Sequence, residues 1–312
     1  MYFENQQLLK ALVRKIMKKS IPVYDIQNFS AYKNDGILVS RFGYYAKQHQ
    51  HLHSAHRHSF FHFVFFTEGS GKQQIDFKTF DVKANLIYFM IPGQVHSWAF
   101  EGEPDGYIIN FSPSYFSSLL LHQEYLDKFS FFSGKPEDQV LVLDTVTSSK
   151  ISHLFEEILK EGQIDEPIND DLVKVLLLQL FIEVARAANN TNETAVNPYN
   201  HTILRNFQQL IEKNYTQLKL PKQYAELLYI TPNHLNALCN DFLGTSAGKL
   251  IRDRIILEAK RLLINLDLRV VEIAEKLNFE DQSYFVKFFK KYEGTTPDRF
   301  RKQYITIPYG TE

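Results

Sequence analysis

The chain has 312 residues, enough for two domains of ordinary size. Its 26 Phe and 17 Tyr supply ample apolar mass for packed cores, which excludes a disordered chain. A single cysteine, Cys239, cannot form a disulfide within the chain, which favours the cytosol. The formal net charge is −1, yet residues 200–312 carry 17 Lys and Arg against 13 Asp and Glu. The last third of the chain is therefore positive and suited to approach phosphate.

The N-terminal twenty residues combine apolar side chains at helical spacing with interleaved Lys and Arg. A secretory signal needs an unbroken apolar core and a small-residue cleavage site, and neither is visible. We therefore expect residues 1–35 to form a short helix and an arm that pack on this domain or on a partner subunit. A basic amphipathic helix can also lie on a membrane surface, which is the alternative. The most apolar window, 173–184, is too short to span a bilayer, so no transmembrane segment is expected.

Residues 36–112 have the pattern of a β domain, with short apolar or alternating runs between turn residues. One of these runs, GILVSRFGYY, begins at Gly36. Alternation from Ile75 to Lys78 marks a half-buried strand, and the breaks at Gly69–Gly71 and Pro92–Gly93 predict turns. The segment is predicted to fold as a β sandwich or a small barrel.

Helical periodicity begins at residue 113 and fills three segments, 113–129, 150–162 and 169–190. The third segment starts with good capping residues and is apolar nearly all round. Such a helix must be covered on every side, so we expect one face to pack on the β domain and the other on the same helix of a second subunit. This makes 113–188 a predicted dimerisation segment, with burial inside one large domain as the alternative. Residues 189–200 are small and polar and predict a linker.

An internal repeat occupies the last third of the sequence. Residues from Ala225 match those from Ala274 at an offset of 49, and after one extra residue the match continues at an offset of 50 to Gly244 and Gly294. Each copy predicts a short helix with a small alanine, a tight turn and an amphipathic helix ended by glycine, which is a helix-turn-helix. One long helix, 249–264, is predicted between them. A rigid connector would let both second helices enter successive major grooves, about 34 Å apart.

The second copy, LNFEDQSYFVKFFKKYEGTTPDRFR, is similar to the AraC/XylS family of bacterial transcription regulators through nearly its whole length. The resemblance covers residues 200–305 strongly and the N-terminal domain more loosely. Asn278 replaces the usual turn glycine, but asparagine tolerates the left-handed conformation that a tight turn can demand. In the first copy, Ala237, Cys239 and Asn240 stand where a basic residue, a core Phe and a Lys are usual. Its half-site is therefore expected to be held less tightly by charge, and Cys239 to be a buried core thiol.

Family position implies which side chains face bases. In the first copy these are Asn233 and Asn236, and in the second Gln282, Ser283 and Lys287. Asn and Gln can pair bidentately with adenine and Lys can donate to guanine, so this set suits sequence discrimination. Ordinary solvated positions on an amphipathic helix are the alternative. The basic residues expected to contact phosphate or solvent are Lys290, Lys291, Arg299 and Arg301.

Seven of the eleven histidines lie in the β domain. His56, His58, His62 and His96, together with the later Pro-Gly turn, resemble the two motifs of the cupin superfamily, with His62 where a metal-binding carboxylate is common. The four imidazoles could converge on one divalent metal such as Zn, Fe, Ni or Cu. The alternative, implied by the resemblance to AraC-type sensors, is a barrel that binds a small effector without metal.

The expected protein is a multidomain α and β chain. A cupin-like β-barrel with following helices precedes an all-α domain, 201–305, of two helix-turn-helix motifs. The implied function is sequence-specific regulation of transcription in the cytoplasm, controlled by a small effector in the barrel, without enzymatic activity. The implied partners are double-stranded operator DNA, the effector, a second copy and RNA polymerase, and no membrane. No cofactor is expected apart from the metal left open above.

Two rival hypotheses belong to other classes of protein. A metal-dependent cupin enzyme with an accessory helical domain would explain the histidines but not the duplicated motif. An architectural DNA-binding protein without a sensor would leave the barrel unexplained.

Overall fold

Two units of the chain, within Pro22–Thr194 and Ala195–Thr311, each have their own buried core. They are seen in a computed structural model that describes residues 21–29, 36–120, 123–164, 166–189, 198–265 and 267–306. The predicted N-terminal helix and most of the predicted linker lie outside these residues.

The N-terminal unit is built on an eight-stranded sheet. Its strands are β1 (Val23–Tyr24), β2 (Ile37–Arg41), β3 (His56–His58), β4 (Phe61–Ile75), β5 (Lys78–Asp81), β6 (Leu86–Met90), β7 (Val95–Phe111) and β8 (Val140–Val142). Neighbours follow the order β1-β3-β7-β4-β6-β8, and β2 pairs with β7 and β5 with β4. β1 and β8 come from outside 36–112, so the sheet is larger than the predicted β segment.

The predicted turn at Gly69–Gly71 is wrong, because β4 continues through it. The pairing of β4 with β7 shifts register on either side of Glu68, which is the mark of a β-bulge. Gly71 has φ +117°, and a Cβ there would lie 2.3 Å from the Ala99 carbonyl oxygen. Glycine therefore allows two long strands to cross closely without ending either one. The actual turn comes later, at Asp76 and Phe77, between β4 and β5.

The sheet buries side chains on both faces, which explains the nearly continuous apolar run of β4. Phe63 and Phe65 belong to the core shared with the following helices, whereas Val64 and Phe66 belong to the core on the other face. The period of two places His62 on the second face, with Val64 and Phe66. Of the predicted strand GILVSRFGYY only Ile37–Arg41 is extended, and helix α1 (Phe42–Gln48) follows it.

Helices cover the face of the sheet that carries Phe63 and Phe65. The segment 113–129 forms short 3-10 turns (Tyr115–Ser118 and Gln123–Lys128) where one helix was predicted. After a further 3-10 turn (Ser130–Phe132) come α2 (Pro136–Gln139), α3 (Thr145–Glu161) and α4 (Pro167–Asn189).

The long helix α4 has one buried face and one face that this unit leaves exposed. The residues buried against the sheet core are Val173, Leu177, Leu180, Phe181 and Val184. On the opposite face Ile168 is 71% exposed, Leu172 43% and Val175 50%. The described unit therefore covers one side of this helix and leaves an apolar stripe uncovered.

The C-terminal unit consists of helices in its described residues. They are α5 (Pro198–Asn214), α6 (Pro221–Leu227), α7 (Pro232–Leu243), α8 (Ala247–Leu263), α9 (Val270–Lys276), α10 (Gln282–Glu293) and α11 (Pro297–Thr306). The pairs α6–α7 and α9–α10 are the two predicted helix-turn-helix motifs, and α8 is the predicted connector. No helix in the part of the chain that the structure describes is long and apolar enough to cross a membrane.

The two copies of the repeat share equivalent hydrogen bonds and helix ends. Ala225 and Ala274 are buried, and their carbonyls accept hydrogen bonds from Ile230 N at 3.0 Å and Phe279 N at 2.9 Å. The second helix of each motif, α7 or α10, is called its reading helix. Each reading helix ends at a left-handed glycine, with φ +62° at Gly244 and +78° at Gly294. The buried alanine in each copy therefore sits where the two helices of the motif approach.

The turns of the two motifs have the same left-handed conformation. Asn278 has φ +52°, which confirms that this asparagine takes the place of glycine. Tyr229, at the equivalent position, has φ +55°. A tyrosine there is a strained choice that the sequence pattern did not reveal. Cys239 is buried, as predicted.

Candidate nucleic-acid interface and histidine cluster

Each reading helix starts at a side-chain cap. Thr231 Oγ1 accepts a hydrogen bond from His234 N at 3.1 Å, and Asp281 Oδ1 accepts one from Tyr284 N at 2.7 Å. These caps fix where α7 and α10 begin and satisfy one of the unpaired amides of the first turn. The first-turn side chains are therefore held at defined positions on the surface.

Most of the predicted DNA-binding side chains are exposed. They are Asn233, Gln282, Ser283, Lys287, Lys290 and Lys291. Two further exposed residues, His234 and Tyr284, follow Asn233 and Ser283 directly and occupy the same place in the repeat. They were not among the predicted residues, although the repeat alignment carried the signal needed to find them.

Asn236 differs from the other predicted reading residues. It is half-buried, and its Oδ1 accepts a hydrogen bond from Ala247 N at 3.2 Å. Ala247 is the first residue of the connector α8, so Asn236 helps to fasten the connector to α7. A bidentate pair with adenine needs both the acceptor and the donor of the amide. The bond from Ala247 uses one of the two lone pairs of Oδ1 and thereby restricts how Asn236 can turn toward a base.

The positive charge of this surface lies on the second motif. Lys287, Lys290 and Lys291 are exposed on α10, and the residues at the same positions of α7 are Ala237, Asn240 and Asp241. The two motifs therefore share a fold but not an electrostatic character. Phosphate would be attracted chiefly to the side of α10.

Two basic residues have structural partners inside the unit. Arg301 donates to the carbonyl oxygens of Leu263 at 2.9 Å and Leu268 at 2.6 Å, so the predicted role in phosphate or solvent contact does not describe it. It instead satisfies carbonyls at and after the end of α8. Lys219 Nζ donates to the carbonyls of Thr216 and Asn278, both at 2.7 Å.

Lys219 thereby joins the loop before the first motif to the turn of the second. Its ammonium also lies 4.9 Å from the ring centre of Phe279, within cation–π range. Burial lowers the pKa of Lys219 from its ordinary value. The two motifs are consequently connected by this side chain as well as by α8.

Three histidines of the N-terminal unit converge on one point. His56 pairs with His96 across β3 and β7, and His58 lies two residues further along β3 on the same face. The Nε2 atom of His58 lies 3.1 Å from that of His56 and 2.8 Å from that of His96. All three side chains are buried.

Burial keeps these imidazoles neutral. It lowers the pKa of His56 to about 4 and those of His58 and His96 well below the ordinary value, and the neighbouring histidines lower the last two further. Each ring therefore has one lone pair on nitrogen at neutral pH. A neutral imidazole is the form in which histidine binds a metal.

His62 packs against His58 and His96, with ring centres 5.0 Å from each, but contrary to the sequence prediction it does not belong to the converging ligand set. Its Nδ1 lies 2.7 Å from Asn110 Oδ1 and its Nε2 lies 2.9 Å from the Tyr88 hydroxyl. Trp98 Nε1 donates to the same hydroxyl at 3.2 Å. Both ring nitrogens of His62 are thus engaged, and burial lowers its pKa to about 3. The motif spacing indicated the right strand but could not show these partners.

The donor set of His56, His58 and His96 fits a divalent transition metal. The three ligand nitrogens lie within 4.8 Å of one another, and imidazole suits Zn, Cu, Fe and Ni. His56 Nδ1 lies 2.7 Å from the Ser54 carbonyl, which orients the ring and leaves Nε2 as the ligand atom. The Nδ1 atoms of His58 and His96 are buried and have no hydrogen-bond partner among the described residues.

Comparison with known proteins agrees with both units. The family described as "AraC-like ligand binding domain" matches residues 38–181, and the one described as "Helix-turn-helix domain" matches residues 224–303. The arabinose operon regulatory protein of Escherichia coli (strain K12) is 24% identical over 234 residues, covering 75% of this chain and 77% of that protein.

Two other similarities cover smaller shares of this chain. The probable transcription factor PqrA of Proteus vulgaris is 38% identical over 69 residues, which are 22% of this chain and 57% of PqrA. The C-terminal domain of the two-component response regulator yesN from Fusobacterium nucleatum is 30% identical and covers 32% of this chain and 98% of that domain, with a TM-score of 0.30.

These matches and the paired architecture identify the class of protein. The N-terminal unit is a β-rich, cupin-like sensor fold, and the C-terminal unit carries a duplicated helix-turn-helix. The chain belongs to the AraC-type family of transcriptional regulators.

Proposed function

We propose that this chain is a sequence-specific DNA-binding regulator of transcription that acts in the cytoplasm and has no catalytic role. The observation that carries the proposal is the duplicated motif, in which the buried alanine, the capped reading helix and the terminal glycine recur in both copies. Exposed polar side chains at both caps supply groups that can read base edges.

The proposed division of labour follows the two units. Residues 201–305 bind operator DNA, and the sheet of the first unit binds a small effector. The sensor boundary of 36–112 is widened in this proposal because β1 and β8 pair with strands inside it. Residues 113–188 contain the proposed dimer contact and 1–35 the arm. The proposed linker is 189–200, of which Asn189 ends α4 and 198–200 begin α5. RNA polymerase is a proposed partner once the regulator is on DNA.

The test is a selection of DNA from a random pool with the full-length protein. We expect one enriched sequence with two half-sites, about one helical turn apart, because α7 and α10 are joined through one connector. Enrichment of no sequence by folded protein would contradict the proposal. The double variant Gln282→Ala and Asn233→Ala serves as the matched control and should select a weaker consensus.

A second candidate function is a metal-dependent enzyme, favoured by the three converging imidazoles. It predicts turnover of a small substrate by metal-loaded protein in the absence of DNA, and no sequence-specific DNA binding. The DNA selection above separates the two candidates.

A further inference from the structure

His56, His58 and His96 form a ligand set for a divalent ion that contains only neutral nitrogens. We propose that a divalent late transition-metal ion held by these three side chains is itself the effector of the regulator. The proposal rests on the DNA-binding function proposed above and specifies the chemical class of the signal.

The distances between the ligand atoms already suit an ion. With metal–nitrogen bonds of 2.0–2.1 Å in a tetrahedral site, neighbouring ligand nitrogens lie about 3.3 Å apart. The Nε2 atoms are 3.1 Å and 2.8 Å apart from His58 to His56 and His96. These two pairs would need to open by a few tenths of an ångström to admit the ion, and the third pair of ligand nitrogens lies within 4.8 Å.

The protons of the three rings cannot satisfy every contact between the facing nitrogens. An ion would bind the lone pairs that otherwise face one another. His56 Nδ1–H donates to the Ser54 carbonyl, so His56 Nε2 carries a lone pair. His58 Nε2 faces both His56 and His96, and a single proton on it satisfies one of those contacts only. A cation among the three nitrogens accepts all three lone pairs at once.

The partners of His62 decide which ions the site would select. Asn110 and Tyr88 hold its two nitrogens, so the position where cupin motifs commonly supply a carboxylate gives no ligand. Sites without oxygen ligands disfavour Mg²⁺, Ca²⁺ and Mn²⁺, whereas imidazole nitrogens favour Co²⁺, Ni²⁺, Cu²⁺ and Zn²⁺. The site should therefore discriminate by ligand type.

The hydrogen bonds that orient the three histidines are few, which suits an ion that exchanges as a signal better than a permanently bound cofactor. A metal-binding histidine almost always donates a hydrogen bond from its second ring N–H to a partner. Loss of that partner lowers metal affinity about 10–100-fold. Within the part of the chain that the structure describes, His56 has such a partner, while the Nδ1 atoms of His58 and His96 have none. An ion held in this way would leave when its free concentration falls.

The ligands also connect elements that the ion would tighten. His56 and His58 are the two ends of β3, a three-residue strand between β1 and β7. His96 belongs to β7, the longest strand of the sheet. An ion would add a strong link between β3 and β7 where only a short ladder exists, and would thereby stabilise the paired β1.

The first experiment measures metal binding to full-length, tag-free protein after chelation. We expect one Co²⁺ per chain with the visible spectrum of a nitrogen-rich tetrahedral site, displaced by Zn²⁺ and not by Mg²⁺. His58→Gln and His96→Gln should each lose the spectrum, and His62→Gln should keep the stoichiometry. The double variant His51→Gln and His53→Gln, which removes two exposed histidines nearby, is the matched control and should bind as wild type.

The second experiment measures affinity for DNA selected from a random pool, with Zn²⁺ or with chelator. We expect the two affinities to differ by about tenfold or more, and the difference to vanish in His96→Gln. No stoichiometric Co²⁺ binding by wild-type protein overturns the inference. Stoichiometric binding with equal DNA affinity in both states also overturns it, while leaving the regulator intact. Failure to bind DNA in either state overturns the regulator as well.

Discussion

Gln282 is the first residue of α10, where an exposed amide precedes three exposed lysines. Changing it to alanine should cost about 1–3 kcal/mol at the operator and relax the preference at one base position, as loss of a bidentate contact does. Binding to a set of single-base operator variants at fixed salt measures both effects. Lys290→Ala is the control and should weaken binding to all sequences about equally.

The opposite result would assign the reading role to the first motif. If Gln282→Ala leaves base preference unchanged while Asn233→Ala abolishes it, α7 is the principal reader. The charge difference between α7 and α10 would then affect affinity without affecting specificity.

Tyr229 offers a prediction about stability at the same scale. Its left-handed backbone (φ +55°) is costly for a tyrosine, and its side chain is 95% exposed, so little packing is lost on removal. Tyr229→Gly should therefore stabilise the C-terminal unit by up to about 1 kcal/mol. Chemical denaturation measures the change, and Asn278→Gly is the matched control with a smaller expected gain. A loss of stability in Tyr229→Gly would show that the side chain contributes packing that outweighs the strain.

The residues that sequence patterns located correctly are those whose role depends on position in a repeat. Asn278 and Cys239 follow from the family pattern that the two copies resemble. His62 and Asn236 do not, because their roles are set by hydrogen bonds to Asn110, Tyr88 and the Ala247 amide, which are distant along the chain. Periodicity shows which face a side chain occupies but not which partner it finds there.

At the scale of elements, α4 is the clearest candidate for a contact between subunits. Ile168, Leu172 and Val175 form an exposed apolar stripe opposite the face that packs on the sheet. We expect Leu172→Lys with Val175→Lys to convert a dimer into a folded monomer, because these side chains bury little within the unit. Sedimentation at micromolar concentration measures the change.

Leu180 provides the control for that experiment. It is fully buried, so Leu180→Ala should destabilise the unit by about 2–5 kcal/mol without acting on the exposed stripe. Wild-type protein that is monomeric at micromolar concentration would contradict the proposed dimer.

The ends of the strands are less predictable from the sequence than the helices are. The helices of both motifs and α3 and α4 follow from clear 3.6-residue periodicity. β4 and β6 follow from continuous apolar runs, whereas the alternation at Ile75–Lys78 falls on the turn between β4 and β5. The glycines at Gly69–Gly71 predict a turn, but β4 continues through these residues, with a bulge at Glu68, because it pairs with β7. The strand β8 was missed because it is three residues long and acquires its identity from pairing with β6.

For the whole molecule, the separate core of the C-terminal unit leads to a prediction about a fragment. Residues 195–312 alone should bind selected DNA at low salt, because both reading helices and their connector lie within them. The logarithm of the affinity should fall linearly with the logarithm of salt concentration, since each neutralised phosphate releases counterions. Titration at several salt concentrations measures the slope, and Lys290→Ala should make it less steep by about one. A folded fragment that retains no DNA would contradict the prediction.

Lys219 holds the turn of the second motif from a loop that belongs to the first. On a duplex with 10–10.5 base pairs per turn, each inserted base pair would rotate one half-site against the other by about 34–36°. A reader whose two helices are tied together cannot follow that rotation. The operator would then be recognised by the rotation angle between its half-sites as much as by their base sequence. A one-base-pair insertion would lower the affinity as much as a changed base.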